Sequence, residues 1–314
     1  MFPNKEKLKK AFEGDKLIIL HHNADADCVG SALGIYYSIE GCKISLSNGI
    51  SIAGKGIMNK CGVEYFETPP KKWDGTLVVV DTSDPKRCAP LPKTDKIIVI
   101  DHHQKTDGWK KENMIMSFPD RTSTAEIVFE LFEHMEEKLS PLSLNPLLAA
   151  IYADTGNFRY ANKDSLRIAG DLCNLGAEPR KATELLDREV NESERIALLK
   201  GMQRMKWITE RKYVICTSAV KVHTSTVAKN MIRMGADIGI VVSEKKGNVQ
   251  LSIRCSTKAK EDGFNLAKIL NEVNLSFKGS TGGHIGAAGM KGVGDGEALI
   301  EMVKHECVKK IKEG

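Results

Sequence analysis

Residues 16–38 read KLIILHHNADADCVGSALGIYYS. The run at 16–20 carries the β-branched, leucine-rich signature of a strand, and 29–38 has helical character. Asp25 and Asp27 therefore fall on a strand-to-helix loop, the edge where open α/β sheets place their ligands. Apolar runs at 43–47, 77–80 and 97–100 repeat the strand signal with helical patterns between them. Such alternation predicts a parallel sheet covered by helices.

Three of these runs, and one helix, end on groups of the same chemistry. His21 and the two aspartates follow the first strand, Asp81 follows in VVVDTSD, and Asp101-His102-His103 follow in IIVIDHHQ. A helix expected over 146–153 delivers Asp154 in AAIYADTGNFRY, where the Thr155-Gly156-Asn157 turn redirects the chain. Residues 122–137 carry apolar side chains at 127, 128, 131, 132 and 135, an amphipathic packing helix with Thr122 or Ser123 as N-cap.

The four clusters offer only oxygen and nitrogen donors, which suit hard divalent cations. A two-metal phosphoesterase needs one carboxylate shared by ions about 3.5–4 Å apart, with further ligands for each. Asp81 is the natural bridge. Alternation along an extended loop would send Asp25 and Asp27 toward neighbouring ions. Imidazole ligands favour manganese over magnesium, with cobalt and zinc as alternatives.

The 314 residues, 28% of them charged, describe a soluble globular chain with one large domain or two ordinary ones. A net charge of +5 permits a polyanionic substrate but not the concentrated basic face that grips long nucleic acid. Eight scattered cysteines form no CxxC pair, which argues against a zinc site or a disulfide framework. Cys28 reads as a small, inert core thiol. The N-terminus MFPNKEKLKK carries no signal-like apolar region, and no stretch approaches a membrane span, so a cytoplasmic protein is expected.

From 179 to 208 the pattern is polar and helical, which we read as a connector. Strand signals at 213–220, 238–243 and 249–255, and a final helix over 297–312, then predict a second α/β unit. The expected boundaries are 1–185 for the first domain, 186–210 for the helical connector and 211–314 for the second domain.

The order HxNxDxD, D, DHH, DTG resembles the DHH phosphoesterase superfamily. Gly282-Gly283-His284-Ile285-Gly286-Ala287-Ala288-Gly289, preceded by Ser252-Ile253-Arg254-Cys255-Ser256, is similar to the associated DHHA1 nucleotide-binding domain. The resemblance implies a parallel-sheet DHH domain, a helical connector and a smaller α/β DHHA1 domain, with the active site in the inter-domain cleft. It implies that His21 and Asp25 hold one ion, that Asp27, His102 and Asp154 hold the second, and that Asp81 is shared. His103 would face substrate and Asp101 would orient the imidazoles. Arg254, the Gly282-Gly283 pair and His284 would bind the remote end of the substrate, and Arg159 would reach it from NFRY. Ala24 stands where proline is usual, Cys28 where a small alanine is usual, and Thr281 at the first position of a run often made of three glycines.

The compact two-domain form is most similar to the nano-RNase and 3'-phosphoadenosine-5'-phosphate phosphatase group. That resemblance implies in-line attack by a water held between two ions, cutting short single-stranded RNA or DNA to mononucleotides, with the bisphosphorylated adenosine as a further substrate. A homodimer is compatible with it. Competing readings are a RecJ-type exonuclease on longer strands, an inorganic pyrophosphatase of the same superfamily, and a noncatalytic nucleotide-binding protein. Large RecJ enzymes carry an OB fold for which 314 residues leave no room. The pyrophosphatase's basic signature fits Arg254-Cys255-Ser256-Thr257-Lys258 poorly. A noncatalytic protein would be expected to have lost ligands. His22 reads as a buried structural imidazole hydrogen-bonded behind the site, His134, His223 and His305 as core or surface residues, and Trp73, Trp109 and Trp207 as packing anchors.

Overall fold

The computed structural model describes residues 2–88, 90–104, 108–110, 113–187 and 191–313. The chain divides into two compact units, Met1–Glu189 and Val190–Gly314.

The first unit holds a five-stranded sheet, β1 (Lys16–Leu20), β2 (Cys42–Leu46), β3 (Thr76–Val80), β4 (Ile97–Asp101) and β5 (Met114–Ser117). All neighbours are parallel, in the order β2-β1-β3-β4-β5. Because such strands are covered on both faces, β1 and β3 read as unbroken apolar runs without polar alternation. Ile18, Leu20, Val78, Val80 and Ile100 turn to a core shared with the helices Ala26–Ser38, Thr124–Met135 and Pro141–Asp154. Leu17, Ile19, Leu77, Val79 and Val99 turn the other way, onto Trp73, Leu91 and Trp109. Each fully buried Leu or Ile contributes roughly 1.5–3 kcal/mol.

Two details differ from expectation and bear on the site. The helix that follows β1 begins at Ala26, so Asp27 lies in its first turn rather than on the loop, while Asp25, with extended backbone, ends the loop as the N-cap. Asp25 has the capping side chain that exposed helix N–H groups need, and this starts the helix earlier than its apolar pattern does. The helix ending at Asp154 begins at Pro141, behind the Ser140 cap, and carries Pro146 inside it.

Two glycines fix how these helices cross. A Cβ at Gly30 would lie 2.5 Å from the Pro146 carbonyl oxygen, and one at Gly34 would lie 2.6 Å from the Leu147 side chain. The spacing of four puts both on one face, and that face meets the Pro141–Asp154 helix.

The second unit is a mixed six-stranded sheet of β6 (Lys206–Glu210), β7 (Tyr213–Ala219), β8 (Ile238–Lys245), β9 (Asn248–Cys255), β10 (Ser280–His284) and β11 (Ala287–Val293). Its order is β10-β11-β9-β8-β7-β6, with β7 and β8 parallel and the other neighbours antiparallel. Residues 206–208, expected to end a helical run, form an edge strand instead, with Trp207 exposed. Tertiary pairing with β7 overrides the local pattern there. The helices Leu266–Phe277 and Gly296–Glu313 cover one face, and Thr224–Arg233 packs on the other. Among the described residues, no helix is long and apolar enough to cross a membrane.

Candidate metal centre

The strand order places β1 between β2 and β3, so the chain leaves β1 in one direction and returns on its other side. The C-terminal ends of β1 and β3 flank this switch point, where open sheets bind ligands. His21 follows β1, Asp81 follows β3, and Asp101 ends β4 ahead of His102 and His103. Asp81 sits in the left-handed region at φ 61°, an uncommon conformation for a non-glycine residue that turns its side chain at the strand end.

Nε2 of His21 lies 3.1 Å from Oδ2 of Asp81. On the other side of the same carboxylate, Nε2 of His102 lies 3.4 Å from Oδ1, 3.4 Å from Oδ2 of Asp154 and 3.9 Å from Oδ2 of Asp27. Asp27 and Asp81 are almost wholly buried, and Asp154 retains 31% side-chain exposure. Donor atoms of Asp27, His102 and Asp154 lie within 4.8 Å of one another; the same holds for Asp81, His102 and His103, and for His21, Cys28 and Asp81.

Main-chain groups aim both imidazoles. Nδ1 of His102 donates to the Arg121 carbonyl at 3.3 Å, and Arg121 is itself fixed by Glu130 at 2.8 and 2.9 Å. Nδ1 of His21 donates to the His22 carbonyl at 2.9 Å. The Arg87 guanidinium lies 3.1 Å from that nitrogen, which cannot accept while it donates; the shorter carbonyl contact places the proton. In a neutral ring, each Nε2 then turns a lone pair toward carboxylate oxygens. That arrangement is repulsive unless a proton or a cation lies between them. Three carboxylates, two such imidazoles and the absence of sulfur from the Asp27, His102 and Asp154 group fit a divalent cation.

The electrostatics agree. Burial, then the charges of Asp81 and Asp154, push the Asp27 carboxyl well above its ordinary range. Asp154 is raised to about 6, first by burial. Burial also works to raise Asp81, but hydrogen bonds from His102 and His21 outweigh it and hold that carboxyl low. Against its own burial, His102 is raised to about 10 by its hydrogen bond to Asp81 and by the surrounding negative charge. The cluster attracts positive charge strongly.

Sequence reasoning missed the supports of the carboxylates. Oδ2 of Asp27 accepts the Thr124 N–H at 2.7 Å and Oδ1 the Ala125 N–H at 3.1 Å, at the positive end of the Thr124–Met135 helix. The Thr124 hydroxyl donates to Oδ1 of Asp81 at 3.0 Å. The TSTAE segment carries the capping signature that locates this helix end, but nothing local shows that a distant aspartate shares it. After Asp154, three consecutive residues are left-handed, Gly156, Asn157 and Phe158. The Thr155 hydroxyl holds this turn, donating to the Ile151 carbonyl at 2.7 Å and accepting the Phe158 N–H at 3.1 Å.

His103 is half-exposed, and its Nδ1 donates to Oδ1 of Asp101 at 2.8 Å. That bond raises its pKa, outweighing the opposing effect of desolvation. Asp101 is fully buried, and its Oδ2 has no hydrogen-bond partner among the described residues. Asp25 is exposed, and its Oδ1 accepts the N–H groups of Asp27 and Cys28 at 3.1 and 3.2 Å. His22, expected behind the site as a buried imidazole, is exposed because the chain leaves the sheet there. Arg159 is exposed, with its guanidinium 5.7 Å from the Tyr160 ring centre.

In the second unit, His284, Ala287 and Arg254 share one register row across β10, β11 and β9. The side chains of His284 and Arg254 therefore stand on one face of the sheet. Arg254 donates to Ser225 Oγ at 2.6 Å and to its neighbouring Ile253 carbonyl at 2.9 Å. Gly282, Gly289, Ser252 and Gln250 line a groove of about 310 Å³ on the sheet. Gly283, at φ 144°, is forced: a Cβ there would lie 2.4 Å from Ala288 Cα. Gly282 faces open space.

Comparison with known proteins adds a family. Residues 16–153 match the N-terminal domain of the DHH family, and residues 213–309 match the DHHA1 domain. An uncharacterized protein of Methanocaldococcus jannaschii is 28% identical, over 98% of this chain and 97% of its own length. The bifunctional oligoribonuclease and PAP phosphatase NrnA of Thermus thermophilus is 30% identical, over 57% of this chain and 55% of its own length. Among solved structures, an exopolyphosphatase-related protein from Bacteroides fragilis aligns with a TM-score of 0.59 at 19% identity, covering 98% of this chain and 96% of that one. This last likeness concerns the fold alone.

Proposed function

Because the chain belongs to the DHH/DHHA1 superfamily and is a phosphoesterase of that family, we propose that it hydrolyses oligonucleotides of a few residues to mononucleotides, and that 3'-phosphoadenosine-5'-phosphate is a second substrate. One observation carries this reading. Carboxylates and imidazoles from four separate segments converge at the switch point of the sheet, around Asp81. The partial similarity to NrnA supports the choice of substrate class.

In this reading His21, Asp25 and Asp81 hold one divalent cation, and Asp27, His102, Asp154 and Asp81 hold another, with manganese preferred. Such a pair supplies Lewis acidity toward phosphoryl oxygens and a nucleophilic water at neutral pH. The protein's own groups do the rest. The Arg121 and His22 carbonyls keep Nε2 of each imidazole pointed inward. Asp101 fixes the His103 ring so that its other nitrogen meets a nonbridging phosphate oxygen and donates as charge develops. In the second unit, Arg254 and His284 bind a phosphate or base through their shared face, while Gly282 and Gly283 let the main chain approach it. Arg159, on its exposed turn, contributes a further phosphate donor. The catalytic machinery lies within 1–185, and substrate recognition within 211–314.

The test is hydrolysis of labelled dinucleotide, trinucleotide and 24-mer strands with Mn²⁺, beside pyrophosphate and the bisphosphorylated adenosine. Preference for the two short strands is expected. A strong preference for the 24-mer, or phosphate release from pyrophosphate alone, would overturn the proposal.

A further inference from the structure

The donors gathered at the end of β1 include one that the sequence reading does not place there, Cys28. Donor atoms of His21, Asp81 and Cys28 lie within 4.8 Å of one another, and all three residues are buried. Asp25, expected to complete this set, is exposed and has one carboxylate oxygen committed to two helix N–H groups. Cys28 follows Asp27 in the first turn of the Ala26–Ser38 helix, with no exposure. Its sulfur meets the Val80 carbonyl at 3.7 Å, a weak contact for a thiol donor. Cys28 belongs to the hydrophobic core of the N-terminal unit, yet its sulfur also lies beside a carboxylate and an imidazole whose Nδ1 proton is already given to a carbonyl.

We propose that Cys28 is a further metal ligand, and that its thiolate, added to His21, Asp81 and the uncommitted oxygen of Asp25, makes this half of the centre select thiophilic divalent cations such as Co²⁺, Zn²⁺ or Cd²⁺. Sulfur donors favour these ions over Mn²⁺ and Mg²⁺. The half built from Asp27, His102 and Asp154 contains no sulfur and keeps the preference of an oxygen and nitrogen site. The centre is thus chemically asymmetric about Asp81. Binding exchanges the S–H bond for an S–metal bond and releases the thiol proton to solvent, with no change of oxidation state. The inference rests on the reading of this cluster as a metal centre.

Co²⁺ titration of the metal-free, full-length protein separates the two. Visible d–d bands report bound Co²⁺, whereas a near-ultraviolet sulfur-to-cobalt charge-transfer band reports a thiolate ligand. The wild type is expected to show both, and Cys28→Ala and Cys28→Ser to lose the charge-transfer band while keeping d–d bands. Circular dichroism checks that both variants fold. The wild-type spectrum decides even if they do not, because among the described residues no other cysteine belongs to such a donor group. Visible bands without a charge-transfer band in the wild type, or a charge-transfer band that survives both substitutions, would refute the thiolate ligand alone. No visible bands at all would remove the metal centre, and this inference with it.

Discussion

Gly30 meets the carbonyl oxygen of Pro146 so closely that only hydrogen fits at that position, since a Cβ would stand 2.5 Å from the oxygen. Asp27 and Asp154 ride on the two helices that cross there. Gly30→Ala is expected to lower stability by about 1–3 kcal/mol through overpacking, in spite of the roughly 1 kcal/mol that alanine gains in an ordinary helix. It should also weaken divalent-cation binding by parting the carboxylates. Calorimetry of unfolding and of Mn²⁺ binding measures both effects; a variant as stable as the wild type would contradict the close crossing.

His103 is expected to act on turnover rather than on metal retention. His103→Ala should reduce kcat by about 10²–10⁴-fold, the range typical of a lost proton donor, with bound metal unchanged by elemental analysis. Asp101→Asn should lower kcat less and alter the pH profile, because the ring keeps its nitrogen but loses its fixed orientation. A His103→Ala protein stripped of metal would place His103 among the ligands instead.

Proton linkage gives the metal-free protein a pH dependence of predictable sign. His102 rises from 6.5 to about 10 in the fold, so the stability it confers is complete below pH 6.5 and is lost as pH climbs through about 10. Asp154, raised from 3.8 to about 6, acts in the same direction at lower pH. Between pH 6.5 and 8.5 the chelated protein should lose stability by at most about 1.4 kcal/mol per pH unit for one such proton. Saturating Mn²⁺ should flatten that slope, since the cation replaces the proton. Thermal melts with and without chelator provide the comparison, and a rising midpoint in the chelated sample would contradict the assignment.

The paired glycines of the second unit should behave oppositely. Gly283→Ala meets both a positive φ and the main chain of Ala288, and should cost about 2–3 kcal/mol. Gly282→Ala meets nothing, so stability should stay within about 1 kcal/mol while KM for a short oligonucleotide rises. Melting curves and initial rates on a trinucleotide distinguish the pair. Equal losses of stability would mean that the hairpin tolerates neither.

Much of the N-terminal unit was legible in the sequence because burial on both faces writes parallel strands as plain apolar runs, as at 16–20 and 77–80. The short edge strand β5 and the β6 segment around Trp207 carry no such signal, and exist through pairing with a neighbour. Nor does Ser280–His284 look like a strand, since glycines have no pleated-surface preference. Within the site, residue types were legible but their duties were not. One oxygen of Asp25 caps its own helix, a second duty beside the proposed one that spacing alone does not show. The roles of Gly30 and Gly34 and of Thr124 depend on partners more than 40 residues away.

The His22 and Arg121 carbonyls that steady the two imidazoles belong to the polypeptide itself, and no exchange of side chains removes them. A conventional alanine scan is therefore blind to half of the scaffold around this cluster. Replacing one of those peptide linkages by an ester, at 22–23 or 121–122, would weaken the acceptor while leaving every residue in place.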